Sequence, residues 1–406
     1  MPAITFKTYV MYIGRGPETK SEVRRYSDGE SFINLSRQRP APIKEIELTD
    51  IREMKNLRLL NLAKNQIGRI NLDALAHATK LKTLILGYNQ LQELDLSPLA
   101  GHPCLKAIVL QRNLLSRGLD LLPLAKCPAL RSLDLRYANI QNLDLQPLKH
   151  CKSLEILQLA QNYLQGLDSS QLPESLRVLN LWSMGLNEFD MNPISKMKRL
   201  THLNLRANRL TTLNLSSLRD LQNLRVVDLS KNQLQSLDLS GLESSKGLEK
   251  LYFSNNQLHS IDLSALKSCS RLRVLWLGGN KLQKIDLRPL SNSPAFENLS
   301  LLENSLTQID LTPLGNSSLK VMSLNKNAIH SIDFTPLAAC SSLRRVLLKD
   351  NSFSEIDVTP LLGCHDLEIL SVDKRTRLVI DSAKSSGTWP KGLESLRNRI
   401  EKKSSK

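Results

Sequence analysis

The sequence is poor in aromatic residues and has no long apolar run. Phe, Trp and Tyr together make up only 4% of its 406 residues, which favours a core of many similar Leu positions over one irregular aromatic core. No stretch approaches the roughly 18 uninterrupted apolar residues of a membrane-spanning helix. The first residues carry Lys7 inside their only apolar stretch and lack the pattern of a signal peptide, so we expect a cytoplasmic protein.

Signatures of catalysis and of metal binding are also missing. The sequence contains no G-x-x-x-x-G-K-[ST] phosphate loop, no G-x-S-x-G nucleophile elbow and no H-E-x-x-H pair. Its seven His are scattered, and the adjacent pairs His150-Cys151 and Cys364-His365 lack the spaced partners of a closed zinc site. We therefore predict no enzyme activity, no cofactor and no metal ion.

The sequence does contain a repeat of 24 residues. Four consecutive copies run from Leu224 to Ser318, the last one residue shorter, and each carries L-x-x-L-x-L-x-x-N-x-L followed by I/L-D-L-x-P/A-L. The L-x-L pair alternates as a short strand does, which points Leu251 and Phe253 inward and leaves Tyr252 outside. One unit cannot bury its apolar face alone, so stacked copies are expected to form a solenoid.

The Asn of the motif can be followed along nearly the whole chain. It stands at Asn65, Asn89, Asn113, Asn162, Asn208, Asn232, Asn256, Asn280, Asn304, Asn327 and Asn351. Gln38, Ala138, Met184 and Arg375 fall at equivalent positions, and ten of the fourteen steps between these fifteen positions are 24 residues long. Because an amide carries both a donor and an acceptor, we predict that these Asn bind backbone groups where each strand turns.

This motif resembles that of the leucine-rich repeat family, with repeats of the intracellular L-x-x-L-x-L-x-x-N-x-L-x-x-I-D-L-x-P-L type. The resemblance implies an α/β repeat fold, a leucine-rich repeat solenoid with a parallel β-sheet on its concave face and short turns or helices on its convex face. It also implies a protein-binding role.

Three segments follow from where the motif begins and ends. Residues 1–40 do not fit the repeat and are predicted to form a β-rich N-terminal cap, and residues 41–375 form the solenoid. Residues 376–406 are predicted to form a C-terminal cap helix and a basic tail. In that helix Trp389, Leu393, Leu396 and Ile400 would share one face.

Two further columns of the repeat have a structural and a chemical interpretation. Five of the six Cys occupy one column of small residues, which favours buried reduced thiols, with disulfides between neighbouring repeats as the alternative: Cys127, Cys151, Cys269, Cys340 and Cys364.

A row of Asp, including Asp95, Asp262 and Asp310, could bind calcium. Asn71 and Asn214 stand in the same row, however, which favours side chains that bind backbone N–H groups in a turn.

The net charge of +16 is spread along the chain. One column in front of the predicted strands is mostly basic: Arg58, Lys82, Lys106, Arg131, Arg177, Arg225, Arg273, Lys320 and Arg344. Such a row could bind an anionic polymer, RNA or DNA, or an anionic surface. Glu155, Glu249, Glu297 and Glu368 interrupt the column and can pair with its cations, so nucleic-acid binding is the alternative rather than the first hypothesis.

The side chains outside the L-x-L pair are expected to line the concave face. The candidate protein-binding residues there are Tyr88, Arg112, Arg136, Tyr137, Trp182, Arg206, Tyr252 and Trp276. Trp, Tyr and Arg are the residue types that dominate binding hot spots, although a large apolar side chain can also lie on a surface without a function.

The register places these candidates in groups. The two Tyr of the N-terminal half are predicted to lie beside Arg112 and Arg136, and Trp182 lies one repeat from Arg206. Tyr252 and Trp276 are predicted in adjacent strands, roughly 5 Å apart. We therefore predict a monomeric, non-catalytic scaffold or regulatory protein that binds another protein through its concave face.

Overall fold

The computed structural model of the protein describes residues 8–14, 22–27, 29–37, 42–164 and 166–403. The chain forms two compact units, Met1–Phe189 and Asp190–Lys406. The strands of the first unit are β1 (Thr8–Gly14), β2 (Glu22–Ser27), β3 (Phe32–Asn34), β4 (Glu45–Glu47), β5 (Leu59–Asn61), β6 (Thr83–Ile85), β7 (Ala107–Val109), β8 (Ser132–Asp134), β9 (Ile156–Gln158) and β10 (Val178–Asn180). Those of the second unit are β11 (His202–Asn204), β12 (Val226–Asp228), β13 (Lys250–Tyr252), β14 (Val274–Trp276), β15 (Asn298–Ser300), β16 (Val321–Ser323), β17 (Arg345–Leu347), β18 (Glu355–Asp357), β19 (Ile369–Ser371), β20 (Arg377–Asp381) and β21 (Ile400–Lys403).

The helical segments are short and almost all of the 3-10 type. The first unit has them at Thr49–Glu53, Asp73–His77, Ser97–Leu99, Leu122–Lys126, Gln146–His150 and Ser169–Gln171. In the second unit they lie at Asn192–Lys196, Ser216–Leu218, Ser240–Leu242, Ser264–Ser268, Arg288–Asn292, Thr312–Leu314, Thr335–Leu337, Thr359–Gly363, Ser382–Lys384 and Arg397–Arg399. The α-helical turn α1 spans Lys391–Glu394. None of the helices among the described residues is long and apolar enough to cross a membrane.

Equivalent residues of successive repeats stand side by side. In the first unit β3 and β5–β10 form a parallel ladder in which Leu60, Leu84 and Ile108 are opposite one another. In the second unit β11–β17 and β19 form a ladder of the same kind. The middle residue of each ladder strand is buried, as Leu251 is, and Phe253 after the strand is fully buried too. The predicted repeat fold, with a parallel sheet and short helical turns, is confirmed.

The Asn column binds neighbouring repeats together. Asn89 donates through Nδ2 to the carbonyls of Leu62 and Leu86 at 3.0 and 2.9 Å, and its Oδ1 accepts the N–H of Ile67 at 3.1 Å. Asn113 and Asn280 make the same three bonds to their own neighbours. Each amide therefore satisfies backbone groups of its own repeat and of the preceding one, so the predicted structural role of this column is confirmed.

The residue just before the Asn position has a left-handed backbone in repeat after repeat. Its φ lies between 51° and 68° at Arg37, Lys64, Tyr88, Arg112, Tyr137, Gln161, Ser183, Ala207, Lys231, Asn255, Gly279, Glu303, Lys326 and Asp350. Only one of these residues is Gly, although left-handed φ values are uncommon in other residues. The backbone N–H of this residue donates to a carbonyl of the next repeat, as from Lys64 to Gly87 at 3.0 Å and from Tyr137 to Ala160 at 2.9 Å, which holds the turn even where Ala138 replaces the Asn.

The Asp row caps its own turns. Asp95 accepts the N–H of Ser97 at 2.8 Å, and the equivalent carboxylates accept the N–H two residues further on in the same way. Asn71 and Asn214 make the same bond through their amide oxygens. The turn interpretation of this row is confirmed.

The cysteine column is buried and forms no disulfide bonds. Its Sγ atoms point at carbonyls of the preceding repeat, as Cys127 does towards Leu99 at 3.1 Å and Cys364 towards Leu337 at 3.3 Å. All six cysteines are free. Burial raises the pKa of Cys151 to about 11 and that of Cys364 to about 12.

Both ends of the chain depart from the repeat. β1 pairs antiparallel with β2 and with β4, while β3, inside the segment assigned to the N-terminal cap, already belongs to the parallel ladder. Residues 1–7, 15–21, 28 and 38–40 of that segment lie outside the described residues.

The C-terminal helix predicted from Trp389 to Ile400 is wrong in its length. The α-helical turn α1 and the 3-10 segment Arg397–Arg399 form there instead, and Ile400–Lys403 is strand β21, paired in parallel with β20. The helix ends because the chain must return to an open strand edge, where β21 satisfies the backbone of β20. Leu393 alone of the four predicted apolar residues is fully buried, next to Gly392, which donates its N–H to the carbonyl of Leu367.

Candidate functional site

The outward side of the ladder is the part of each repeat whose residue type varies. It comprises the first and third residue of each strand, the residue two before the Asn position and the left-handed residue, and we call it the strand face. All eight candidate residues lie on it, but in three different columns. Tyr88, Arg112 and Tyr137 are left-handed residues, Arg136, Trp182 and Arg206 precede that column, and Tyr252 and Trp276 end their strands.

In the first unit, five of these outward side chains form a continuous row, the aromatic–cation row, made of Lys64, Tyr88, Arg112, Tyr137 and Trp182. Lys64 Nζ lies 5.7 Å from the centre of the Tyr88 ring. The Arg112 guanidinium carbon lies 5.4 Å from the same ring and 4.3 Å from the Tyr137 ring, so this cation is held between two aromatic side chains. The row is built because successive left-handed residues bring their side chains side by side.

Trp182 ends the row. Its ring centre lies 6.0 Å from that of Tyr137 in an edge-to-face arrangement with an interplanar angle of 74°. The two residues are two repeats apart, and the repeat between them places the small, buried Ala160 in the Trp182 column. A small residue in that position leaves room for the two rings to meet.

Arg136 lies near Tyr88 and Tyr137, as predicted, but among the described residues no cation–π contact joins it to the row. Its guanidinium binds Asp134 through Nε at 2.9 Å and Nη2 at 2.7 Å, and Nη2 also donates to Gln111 at 3.2 Å. Asp134 is two residues away, and its side chain is only 10% exposed. This carboxylate raises the pKa of Arg136 and neutralises its charge, so the guanidinium serves the fold more than a ligand.

In the second unit the predicted aromatic pair is confirmed. Tyr252 and Trp276 are register partners on neighbouring strands, and their ring centres lie 4.8 Å apart with an interplanar angle of 70°. Trp276 is 42% exposed. Asp228 is the register partner of Tyr252 on the other side, and burial raises the pKa of the Asp228 carboxyl.

Arg206 belongs to the second unit and lies near Asp228, and its positive charge opposes the rise of the Asp228 pKa. Its backbone N–H donates to the Asn204 side chain at 2.9 Å. Sequence reasoning missed Lys64, Asp134 and Asp228 as members of these groups. The repeat register gives the columns of these three residues, but the site was predicted from aromatic and Arg residues, which leaves out Lys and Asp.

The basic column in front of the strands differs between the units. In the second unit three of its four cations are paired, Arg225 with Glu249 at 3.5 Å, Arg273 with Glu297 at 2.8 Å and Lys320 with Glu297 at 3.0 Å. For the fourth, Arg344, no ion-pair partner is found among the described residues. In the first unit Arg177 pairs with Glu155 at 3.7 Å. Among the described residues, no ion-pair partner is found for Arg58, Lys82, Lys106 or Arg131.

The side of the repeats away from the strand face carries open clefts between turns. One is lined by residues that include Lys284, Asp310 and Asp333, and another by Asp144, Asp168 and Gln171. In the part of the chain that the structure describes, no three His, Cys, Asp or Glu side chains converge as metal ligands would. The strand face is therefore where the distinctive side chains concentrate.

Comparisons with known proteins agree with this architecture. The family described as Leucine rich repeat matches residues 47–116, 128–186, 174–234 and 198–258. Leucine Rich repeats (2 copies) match 246–292, and the BspA type Leucine rich repeat region (6 copies) matches 279–383. No curated protein sequence matches the chain.

Solved structures show the same fold at low sequence identity. A leucine-rich repeat protein of Leptospira interrogans is 23% identical, with a TM-score of 0.73 over 87% of this chain and 86% of that one. The functional domain of InlJ from Listeria monocytogenes, which includes a cysteine ladder, is 22% identical, with a TM-score of 0.68 over 93% and 74%. A plant peptide hormone receptor, RGFR1 in complex with RGF2, is 20% identical, with a TM-score of 0.66 over 91% and 67%.

The repeat motif, the parallel ladders with their Asn columns and the matches along the chain lead to one conclusion: this protein belongs to the leucine-rich repeat family.

Proposed function

We propose that this protein is a non-catalytic scaffold or regulatory protein that binds a partner protein through its strand face. The observation that carries the proposal is the aromatic–cation row together with the Tyr252–Trp276 pair. Both present large aromatic rings on a rigid sheet, in columns where the residue type does not matter for the core. Rings of this kind contribute much of the energy at protein interfaces and lose little side-chain entropy on binding.

Structural relatives support a binding role in general terms. The plant receptor is described in complex with RGF2, so one protein of this fold holds a ligand. At 20% identity the likeness concerns the fold alone. The partner of the present chain must therefore be sought through its own strand-face residues.

A second candidate function is the binding of an anionic polymer or surface through the basic column. The observation that favours it is the run of four repeats in the first unit where the described residues hold no partner for Arg58, Lys82, Lys106 and Arg131. Paired cations in the second unit count against a continuous track, because each Glu cancels a charge that phosphates would need.

We also propose that the protein is monomeric and acts in a reducing compartment such as the cytoplasm. Its free cysteine column supports this localisation, because neighbouring thiols in an oxidising compartment tend to form disulfides.

The test is affinity capture followed by mass spectrometry, with wild type and with the triple variant Trp182→Ala, Tyr252→Ala, Trp276→Ala. Nuclease treatment and moderate and high salt accompany each capture. We expect a partner protein that survives nuclease with wild type and disappears with the variant. Nucleic acid recovered with a steep salt dependence would move the second candidate to first place.

A matched control separates the strand face from exposed apolar surface elsewhere. Leu122 and Tyr163 are 64% and 67% exposed and lie off the strand face. A Leu122→Ala, Tyr163→Ala variant should retain the partner. Equal loss of the partner in both variants, or a large fall in the melting temperature of the triple variant, would contradict the proposal.

A further inference from the structure

The strand face of the first unit carries an apolar strip between two rows of cations. The strip consists of two register pairs in different columns, Phe32 with Leu59 at the starts of β3 and β5 and Ile85 with Val109 at the ends of β6 and β7. The pairs are offset, because Leu59 itself stands opposite Thr83 and Ile85 opposite Asn61. Phe32 is 63% exposed and stands opposite Leu59, and Ile85 stands opposite Val109. The last three are half-buried, so each keeps part of its side chain open to the outside.

One flank of the strip is the cationic part of the aromatic–cation row. Lys64 and Arg112 follow the strands that carry Leu59 and Val109, and both side chains are exposed. Arg112 is held between Tyr88 and Tyr137, which fixes its planar guanidinium before any ligand arrives. Among the described residues neither cation has an ion-pair partner, so the N–H groups of Arg112 are available for a carboxylate.

The other flank is the unpaired part of the basic column. Arg58, Lys82, Lys106 and Arg131 each directly precede a ladder strand and so stand at the opposite edge of the strip. Arg58 and Lys64 are six residues apart in one repeat, as are Lys106 and Arg112, so the two flanks are separated by at most about 20 Å, the length of an extended segment of about six residues. One segment of a partner can therefore reach both rows.

We propose that this surface binds a segment of the partner protein in which apolar side chains are flanked by carboxylates on both sides. The inference rests on the proposed function and names the chemistry of the partner. It concerns the first unit, because in the second unit the edge cations Arg273 and Lys320 are already bound to Glu297 and Arg225 to Glu249, which leaves Arg344 as the one edge cation there without an ion-pair partner among the described residues.

A nucleic acid fits this surface less well. Single strands bind where aromatic faces are open for base stacking. The Tyr88 ring instead carries Lys64 and Arg112, and the Tyr137 ring carries Arg112 and the edge contact with Trp182. A stacked base would have to displace these contacts, and the strip between the flanks offers one aromatic ring, Phe32, among aliphatic side chains.

The experiment measures fluorescence anisotropy of labelled peptides with the full chain. The probe has a central Leu-Ser-Leu-Ser-Leu segment with Glu residues at both ends. One control peptide replaces every Glu by Gln, a second replaces every Leu by Ser, and an oligothymidine of similar length tests nucleic acid. We expect the probe to bind more tightly than all three controls and to weaken as salt is raised.

Paired variants locate the binding. Lys64 and Lys326 share the left-handed position, with φ 59° and 55°, but Lys326 binds Glu303 at 2.9 Å. Lys64→Ala should weaken the probe about two- to fivefold, the range of a single exposed ion pair, while Lys326→Ala should leave it unchanged. Arg112→Lys keeps the charge but loses the planar stack. Arg112→Glu should weaken binding of the probe more than Lys64→Ala or Arg112→Lys does.

The second flank has its own pair of variants. Lys106→Ala should weaken the probe by a similar factor, and Lys320→Ala should not. Equal binding of the Gln peptide, tighter binding of oligothymidine, no binding of the probe, or equal effects of the paired variants would each overturn the inference. A natural partner captured through Tyr252 and Trp276 but indifferent to Lys64 and Arg112 would overturn it too, while leaving the proposed function intact.

Discussion

Replacing Asn256 by Ala tests the role of the Asn column directly. Asn256 is 8% exposed and makes three bonds that link neighbouring repeats. Its Nδ2 donates to the carbonyls of Leu229 and Phe253 at 3.1 and 3.0 Å, and its Oδ1 accepts the N–H of Leu234 at 3.1 Å. The substitution removes all three bonds and leaves the core columns in place.

The expected loss of stability depends on which hydrogen bonds each backbone group keeps in the variant. The Leu229 carbonyl still accepts from Asn232 Nδ2 at 2.9 Å, and the Phe253 carbonyl from Asn280 Nδ2 at 3.1 Å. Only the Leu234 N–H loses its sole partner. An unsatisfied buried donor costs about 1–3 kcal/mol, and two weakened carbonyls add a few tenths each, so we expect a loss of about 2–3 kcal/mol.

Native-state hydrogen exchange is the suitable assay, because repeat proteins can open locally and a single unfolding free energy is then poorly defined. The Leu234 amide should exchange roughly 30- to 150-fold faster in the variant, the equivalent of that energy loss. Asn223→Ala is the control, since Asn223 is exposed and makes one bond, to the Lys198 carbonyl. Protection of Leu234 within a factor of two of wild type, in a folded variant, would refute the structural account of the column.

Three further perturbations have definite expected outcomes. Burial lowers the pKa of His102 from 6.5, and its Nδ1 has no partner among the described residues. The stability that neutral His102 contributes is therefore complete above pH 6.5 and is lost as the pH falls through the lowered pKa. Urea midpoints measured against pH should show this loss, and a His102→Ser variant should not show it. Asp262→Ala removes bonds to Ser264 at 2.8 and 3.0 Å and should cost about 1 kcal/mol. Asp262→Asn should cost less, and calcium should leave the melting temperature of wild type unchanged, whereas a marked rise would restore the metal interpretation. Iodoacetamide followed by mass spectrometry should label the half-buried Cys104 well before the buried Cys364, whose pKa of about 12 keeps it protonated; the reverse order would contradict the burial of the column.

The period predicted most of the fold because each repeat solves the same burial problem. Once the L-x-L pair is assigned to a strand, the 24-residue spacing places Tyr252 beside Trp276 and each Asn beside the turn before it. The Asn role followed from the chemistry of the amide, which can join a donor and an acceptor of different repeats. Neither prediction needed knowledge of the overall packing.

The failures arose where local geometry decides. Most left-handed positions do not carry Gly, so the sequence does not indicate that Tyr88, Arg112 and Tyr137 share one backbone conformation and stack. Arg136 lies near the tyrosines, but its guanidinium binds the buried Asp134, and residue types alone cannot rank an ion pair against a ring contact. The prediction of a long C-terminal helix was wrong because the apolar spacing gives no information on the open edge of β20, which Ile400 covers as part of a strand.

The left-handed column has a consequence for how recognition by this protein can change over generations. Within one chain that position accepts Lys, Tyr, Arg, Gln, Ser, Ala, Asn, Gly, Glu and Asp, because backbone hydrogen bonds to the next repeat hold the turn and the side chain stands clear of the core. A mutation there alters what the strand face presents at little expense to folding. Binding specificity can therefore evolve one residue at a time while the scaffold stays constant.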